Sequence, residues 1–146
     1  MKIKIKRTHP LAQTPAYATP GAACFDLRAI VDGGPVTIQP GKATAFDTGI
    51  AFELPENHVL LIHSRSGHGF KSGVRLANVV GILDFDFRDS AKVKLHNDSD
   101  VPFTVTHGDR IAQAMVLPFP KIEFEEVGEL SVTKRGLGGL GSTGSA

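Results

Sequence analysis

Apolar residues along this chain fall in short runs, most of them alternating with polar ones, and almost nowhere at helical spacing. Lys2 to Arg7 sets lysine against isoleucine in strict alternation, the pattern of a half-buried strand. Residues 8–21, punctuated by Pro10, Pro15 and Pro20, read as a loop. Ala22 to Ala29 is small and apolar apart from Asp26 and Arg28, which stand two apart and so share one strand face. Val36 to Gln39, Ala43 to Phe46 and Ile50 to Leu54 read as short strands separated by Pro40-Gly41 and by Asp47-Thr48-Gly49 turn chemistry. His58 to His63 follows with a continuous apolar centre, then Lys92 to Asn97, Pro102 to Thr106, Arg110 to Leu117 and a last strand at Ile122 to Val127. Asn97-Asp98-Ser99-Asp100 and His107-Gly108-Asp109 supply the turns between the later strands. At most one short helix fits, near Gly69 to Ser72. Short strands recurring roughly every eight to twelve residues predict an all-β sandwich or barrel.

The totals add limits. With 146 residues the chain forms one domain with a real core. There is no Trp, so that core rests on Val, Ile, Leu, Ala and nine Phe, and sixteen Gly with nine Pro signal many turns. Sixteen basic and fifteen acidic side chains give no global attraction to nucleic acid or an acidic membrane, so any anion binding is local. Cys24 is the single cysteine, which excludes an intrachain disulfide. The alternating N-terminus lacks a signal core, and no apolar run reaches membrane-spanning length. These features lead us to expect a protein of the reducing cytoplasm.

Candidate chemistry concentrates in a few places. Asn78-Val79-Val80-Gly81-Ile82-Leu83 is an apolar, β-branched run, after which Asp84 to Asp89 packs three carboxylates, Phe85, Phe87 and Arg88 into six residues. An unbroken strand would put Asp84, Asp86 and Arg88 on one face, while Gly81 suggests a bend or a close approach. An edge strand guarded by charge and a carboxylate in a nucleotide or sugar pocket both account for this stretch. Asp26 and Arg28 read either as a mutual ion pair or as a carboxylate beside a bound cation or phosphate. Ser64 to Gly73 holds Arg65, Ser66, Gly67 and Lys71, the ingredients of an anion nest, though not a Walker loop. Within the apolar strand after Asp109, Arg110 and Gln113 have to find partners. The chain ends in a glycine-rich tail with Arg135, Ser142 and Thr143, which is either a disordered terminus or a lid ordered by a ligand. Six histidines without zinc-type pairing make a transition-metal site a poor account, and no nucleophile elbow surrounds Ser66, which suits a phosphate donor better.

Five pieces stand in order: Ala23 to Ala29, Arg65-Ser66-Gly67, Gly81 to Arg88, Gly108 to Gln113 and Arg135 to Gly144. In content and order they resemble the five motifs of the homotrimeric dUTPases, the deoxyuridine triphosphate nucleotidohydrolases. The resemblance implies an all-β, jelly-roll-like domain over residues 1–130, with residues 131–146 as a C-terminal arm. It implies a homotrimer whose three sites are shared between subunits, with dUTP as substrate and Mg²⁺ as cofactor. By the same likeness Asp84 corresponds to the general base that prepares a water for attack on the α-phosphorus. Asn78 and the backbone from Gly81 to Leu83 would read uracil, and Phe87 stands where a tyrosine excludes a ribose 2′-hydroxyl. Arg65, Ser66, Gly67 and Gln113 would bind the phosphate chain. Arg135, Leu140, Gly141, Ser142 and Thr143 belong to the arm that closes over it, and Asp26 matches a carboxylate meeting Mg²⁺ through water. Nucleic acid and membrane are not implied as partners.

The chain departs from the family at several positions. Leu140 occupies the place of an aromatic that stacks on uracil, Cys24 that of a glycine, and Asp89-Ser90 that of Gly-Glu. The first change implies a weaker hold of the arm on the base. Two other readings remain open on sequence: a relative of dCTP deaminase, and a nucleotide-binding regulator without catalysis.

Overall fold

A computed structural model describes residues 1–140 and 142. Eleven strands and one helix follow in the order β1 Lys4–Arg7, β2 Ala16–Tyr17, β3 Phe25–Arg28, β4 Val36–Ile38, β5 Ala43–Glu53, β6 His58–His63, α1 Ser66–Ser72, β7 Val74–Leu76, β8 Val80–Leu83, β9 Ser90–Asn97, β10 Phe103–Val105 and β11 Arg110–Pro118. All pairings are antiparallel and make three sheets, ordered β1-β5-β9-β7, β10-β4 and β2-β3-β11-β6-β8. The architecture is all-β, as the strand spacing predicts, and jelly-roll-like, as the family resemblance implies.

Alternation decides which side chains meet between the sheets. In β9, Ala91, Val93, Leu95 and Asn97 are buried while Lys92 and Lys94 face outward, the period of two made visible. Leu27 of β3, Ile38 of β4, Ile50 and Phe52 of β5, Leu60 and Ile62 of β6, Leu76 of β7, Val105 of β10 and Ile111 of β11 join Ala91, Val93 and Leu95 in one cluster drawn from all three sheets. Each fully buried Leu or Ile contributes about 1.5–3 kcal/mol, so this cluster is the main force holding the sheets together.

Four expectations change. The two strands expected at 43–46 and 50–54 are one, β5, because Asp47-Thr48-Gly49 forms a bulge instead of a turn. Two extra residues of β5 fit between the Asp47↔Lys92 and Ala51↔Ser90 pairs. Thr48 Oγ1 donates to the Ala91 carbonyl at 2.7 Å, and Asp47 accepts from the Gly49 amide at 2.7 Å and from Ser90 Oγ at 2.9 Å. Polar turn chemistry thus serves to lock a bulge inside a ladder. Second, β1 is an edge strand exposed along its whole length, since only β5 covers it. Third, residues 122–127 form no strand, and Phe124 stands 92% exposed. A period of two gives a strand only where an open edge meets it, and none of the described strands pairs there. Fourth, the short helix expected near Gly69 to Ser72 forms but begins earlier, at Ser66, so that it takes in most of the glycine-rich loop before closing at Gly73 in the left-handed region, φ 62°.

Gly49 has no substitute. Its φ is 64°, and a β-carbon there would overlap Ile30 Cδ1 and approach Ala12 Cβ to 2.8 Å. Gly49→Ala is expected to cost about 2–4 kcal/mol of stability, from the left-handed backbone and the steric overlap together. A urea unfolding curve with an unchanged midpoint would contradict this.

Candidate active site

The carboxylate-rich stretch turns midway, but past β8 and not at Gly81, which stays inside the strand in register with Ile62. β8 ends at Leu83, and the Phe87 amide donates to the Asp84 carbonyl at 3.2 Å, closing a turn over Asp84–Phe87. Arg88 Nη1 donates to the carbonyls of Phe85 and Phe87 at 2.6 and 3.0 Å, so its charge staples the turn. Phe85 packs against the core, and Lys121 Nζ lies 5.6 Å from its ring centre. This leaves Asp84 and Phe87 facing outward, with no partner for the Asp84 carboxylate among the described residues. The two residues line an open cavity of about 240 Å³ with Asn78, Gly81, Ile82, Leu83 and Lys92.

Gly81 is buried opposite Ile62, and a β-carbon on it would meet Ile62 Cβ at 3.1 Å. The floor of the cavity therefore needs glycine for close packing. Before it, Val79 takes φ 64°, an uncommon conformation for a β-branched residue, and the Val80 amide reaches the Asn78 carbonyl at 2.6 Å. That kink turns Asn78 outward at the mouth of the cavity, where it is exposed. Nothing in the sequence singles out Val79, because left-handed valine has no sequence signature. Behind the turn, hydrogen bonds from Lys92 and from the Ser90 amide hold the Asp89 carboxyl below the usual range.

A second cluster forms where β3, β11 and the start of α1 meet. Asp26, nearly buried, takes Arg110 Nη1 at 3.1 Å and Arg65 Nε at 3.3 Å. Of the two readings of this strand, the mutual ion pair with Arg28 is not seen among the described residues: Arg28 donates instead to the Gly108 carbonyl at 2.6 Å. The reason lies in the sheet order, which puts β11 beside β3 and β6 beside β11 and so brings Arg110 and Arg65 to Asp26. Gln113, in register with both Asp26 and His63, donates to the Ser64 carbonyl at 3.1 Å. Arg110 and Gln113 are thus paired, as polar groups in an apolar strand require. Ser66 and Gly67 occupy the first turn of α1, whose leading amides have no acceptor within the helix, and Arg65 is its N-cap. Cys24, half-buried beside this cluster, has its thiol pushed up by burial and by the Asp26 charge. It is therefore not a thiolate at neutral pH. His68 and Phe103, which sequence reading passed over, also belong to this cluster.

The two clusters flank β6 and do not merge within one chain. His63, at the end of β6, faces Gln113 on one side and Val80 on the other. Asp84 then stands four residues beyond Val80, about 13 Å of extended chain. Arg135 and Leu140 lie in a segment that is exposed from 120 to 137, and Leu140 is 107% exposed. Arg135 Nε donates to the Gly138 carbonyl at 3.0 Å, a local turn that touches neither cluster. Ser142 is described, whereas Gly141 and Thr143 lie outside the described residues. Among the described residues no group of three or more His, Cys, Asp or Glu side chains is placed to hold a metal.

Comparison with known proteins agrees with this geometry. The dUTPase family model matches residues 11–144. A deoxyuridine 5′-triphosphate nucleotidohydrolase from Nautilia profundicola is 45% identical over 144 residues, spanning 99% of both chains. One of the same name from Coxiella burnetii is 43% identical, over 99% of this chain and 95% of its own. Among solved structures, a Staphylococcus bacteriophage 80alpha dUTPase variant with dUpNHpp superposes at a TM-score of 0.84 with 23% identity, covering 98% of each chain. A dUTPase from phage phi11 of S. aureus, described with a structural Mg(II) ion, superposes at 0.78 with 19% identity, over 88% of this chain and 98% of its own. The match across nearly the whole length, with the acidic hairpin and the two-arginine cluster both in place, means that this chain belongs to the dUTPase family.

Proposed function

We propose that this protein hydrolyses dUTP to dUMP and pyrophosphate by attack of water on the α-phosphorus. The observation that carries the reading is Asp84. It is an exposed carboxylate, without a partner among the described residues, on a stapled turn at the mouth of a cavity walled by an outward amide and an aromatic ring. A carboxylate ionised at neutral pH can orient a water and take its proton as the new oxygen–phosphorus bond forms. The bond from the α-phosphorus to its bridging oxygen breaks in turn, and pyrophosphate leaves with that oxygen. Asn78, offering both a donor and an acceptor, reads the uracil edge together with the backbone of Gly81 and Leu83. Phe87 presents a ring face to the deoxyribose and leaves no space for a 2′-hydroxyl.

Arg65, Ser66, Gly67 and Gln113 bind the phosphate chain. Asp26 already engages two guanidinium groups, which suits it to a water-mediated contact with a hydrated cation better than to direct ligation. Mg²⁺ would therefore arrive mainly on the triphosphate oxygens, as hard ions that keep their waters do, and neutralise charge there. The separation of the two clusters within one chain supports a site shared between subunits, in which the hairpin of one meets the arginine cluster of another; the family resemblance makes that assembly a homotrimer. In this reading residues 131–146 act as an arm, with Arg135, Leu140, Gly141, Ser142 and Thr143 closing the site, and the exposure of Leu140 leaves it free to do so. No helix is long and apolar enough to cross a membrane among the described residues. The lone, half-buried Cys24 suits a reducing cytoplasm.

The test is pyrophosphate release from dUTP, dTTP, dCTP and UTP with Mg²⁺, with ammonia assayed from dCTP. dUTP is expected to exceed every other substrate in kcat/KM by at least ~100-fold, since hydrogen bonds to the uracil edge at Asn78 and the ring of Phe87 against the sugar both discriminate. Comparable turnover of UTP, or ammonia from dCTP, would overturn the reading.

A further inference from the structure

The arginine cluster contains a contact that phosphate binding alone does not explain. β6 ends at His63, opposite Gln113, so at Arg110 the β6 side of β11 has no strand partner. The register against β3 also slips between Arg110 and Ala112. The Arg110 carbonyl is consequently met by side chains: His68 Nε2 at 2.7 Å and Arg65 Nη1 at 3.1 Å. His68 Nε2 also lies 3.0 Å from Arg65 Nη1. A ring nitrogen cannot donate and accept at once, and the shorter contact to a carbonyl requires Nε2 to carry the proton. Two donors thus share one oxygen, whose two lone pairs accept both. Phe103 of β10 clamps the imidazole edge to face, with ring centres 5.2 Å apart at 90°. The charged groups around the ring are Arg65 of the α1 N-cap, Arg110 of β11 and, across the two guanidinium groups, Asp26 of β3.

We propose that His68 is a positioning residue for polyphosphate binding. By fixing the bulged Arg110 carbonyl it fixes where Arg65 rests, and Asp26 holds the other side of the same guanidinium. Arg65 Nη2, without a partner among the described residues, is left to meet phosphate oxygens. The inference rests on the proposed nucleotide hydrolysis and names a residue that tunes its phosphate-binding half.

Two variants test it. His68→Leu fills similar space without a donor, and His68→Gln places an amide donor near the site of Nε2. For the leucine variant, KM for dUTP is expected to rise about 3- to 10-fold with kcat within about twofold, the signature of lost uniform binding. Glutamine is expected to restore most of that affinity. Competition by deoxyuridine, which has no phosphate, should be unchanged in both. Calorimetry with inorganic tripolyphosphate should show the same weakening in the leucine variant without any turnover. A leucine variant with the parental KM and tripolyphosphate affinity overturns the inference, as does a glutamine variant as weak as leucine. A parent that binds tripolyphosphate through His68 yet fails to hydrolyse dUTP would instead overturn the proposed reaction.

Discussion

Asp84→Asn is expected to lower kcat for dUTP hydrolysis by about 10²- to 10⁴-fold, the usual cost of removing a general base. KM and thermal stability should stay close to parental values. The separation of these effects follows from the geometry of the hairpin. Asp84 contributes its backbone carbonyl to the turn, through the Phe87 amide, and that bond survives the substitution. Its side chain is exposed and makes no bond among the described residues, so an isosteric amide leaves the fold untouched. Arg88 staples the turn through the carbonyls of Phe85 and Phe87, not through the Asp84 carboxylate. What the amide loses is basicity. Single-turnover kinetics with dUTP and Mg²⁺ would check this, and a variant as fast as the parent would remove Asp84 from the chemistry.

Asn97→Ala should destabilise the fold by about 3–4 kcal/mol, the result of leaving several buried groups unpaired at once. Asn97 is fully buried at the end of β9. Its Nδ2 donates to the carbonyls of Ile38 at 3.0 Å and Val101 at 2.8 Å. Its Oδ1 accepts from the Ser99 amide at 3.0 Å and from Ser99 Oγ at 2.7 Å. These four bonds tie the four-stranded sheet to β4 and shape the 97–101 turn, on which α1 ends: the Asp98 amide donates to the Gly73 carbonyl at 2.9 Å. Because α1 begins at the arginine cluster, loosening this turn is also expected to weaken substrate affinity near the unfolding transition. Urea denaturation of parent and variant measures the first effect, and a shift below about 1 kcal/mol would contradict the account.

Asn97 also shows where sequence reading stops. In Asn97-Asp98-Ser99-Asp100 the residue types announce a solvated turn, and a turn is there, but its first residue lies inside the core because β9 carries Asn97 in phase with Ala91, Val93 and Leu95. The strands with strong local patterns were legible: His58 to His63 is β6 without change, because a run of four apolar residues between turn signals leaves little else to form. Asp47-Thr48-Gly49 carries the chemistry of a turn, and only the partner strand decides that it is a bulge. β7, three residues long, gave no pattern to read.

The candidate site was legible as residues and not as contacts. Motif resemblance picked out Asp26, Arg65, Arg110 and Gln113. That Asp26 would pair with Arg65 and Arg110 and not with Arg28, its neighbour in sequence, depends on which strands become adjacent, a long-range fact. His68 passed unnoticed for the same reason. Its partners, the Arg110 carbonyl and Phe103, lie far along the chain. For the segment 122–127 the local alternation was real but its partner edge was not among the described strands, so the expected strand did not form.

Whether water attacks the α-phosphorus of dUTP is decided by letting the protein with Mg²⁺ turn over dUTP in water enriched in ¹⁸O and weighing both products. Attack there gives dUMP carrying one ¹⁸O and unlabelled pyrophosphate. Label in the pyrophosphate, or dUDP and inorganic phosphate as the products, would contradict it.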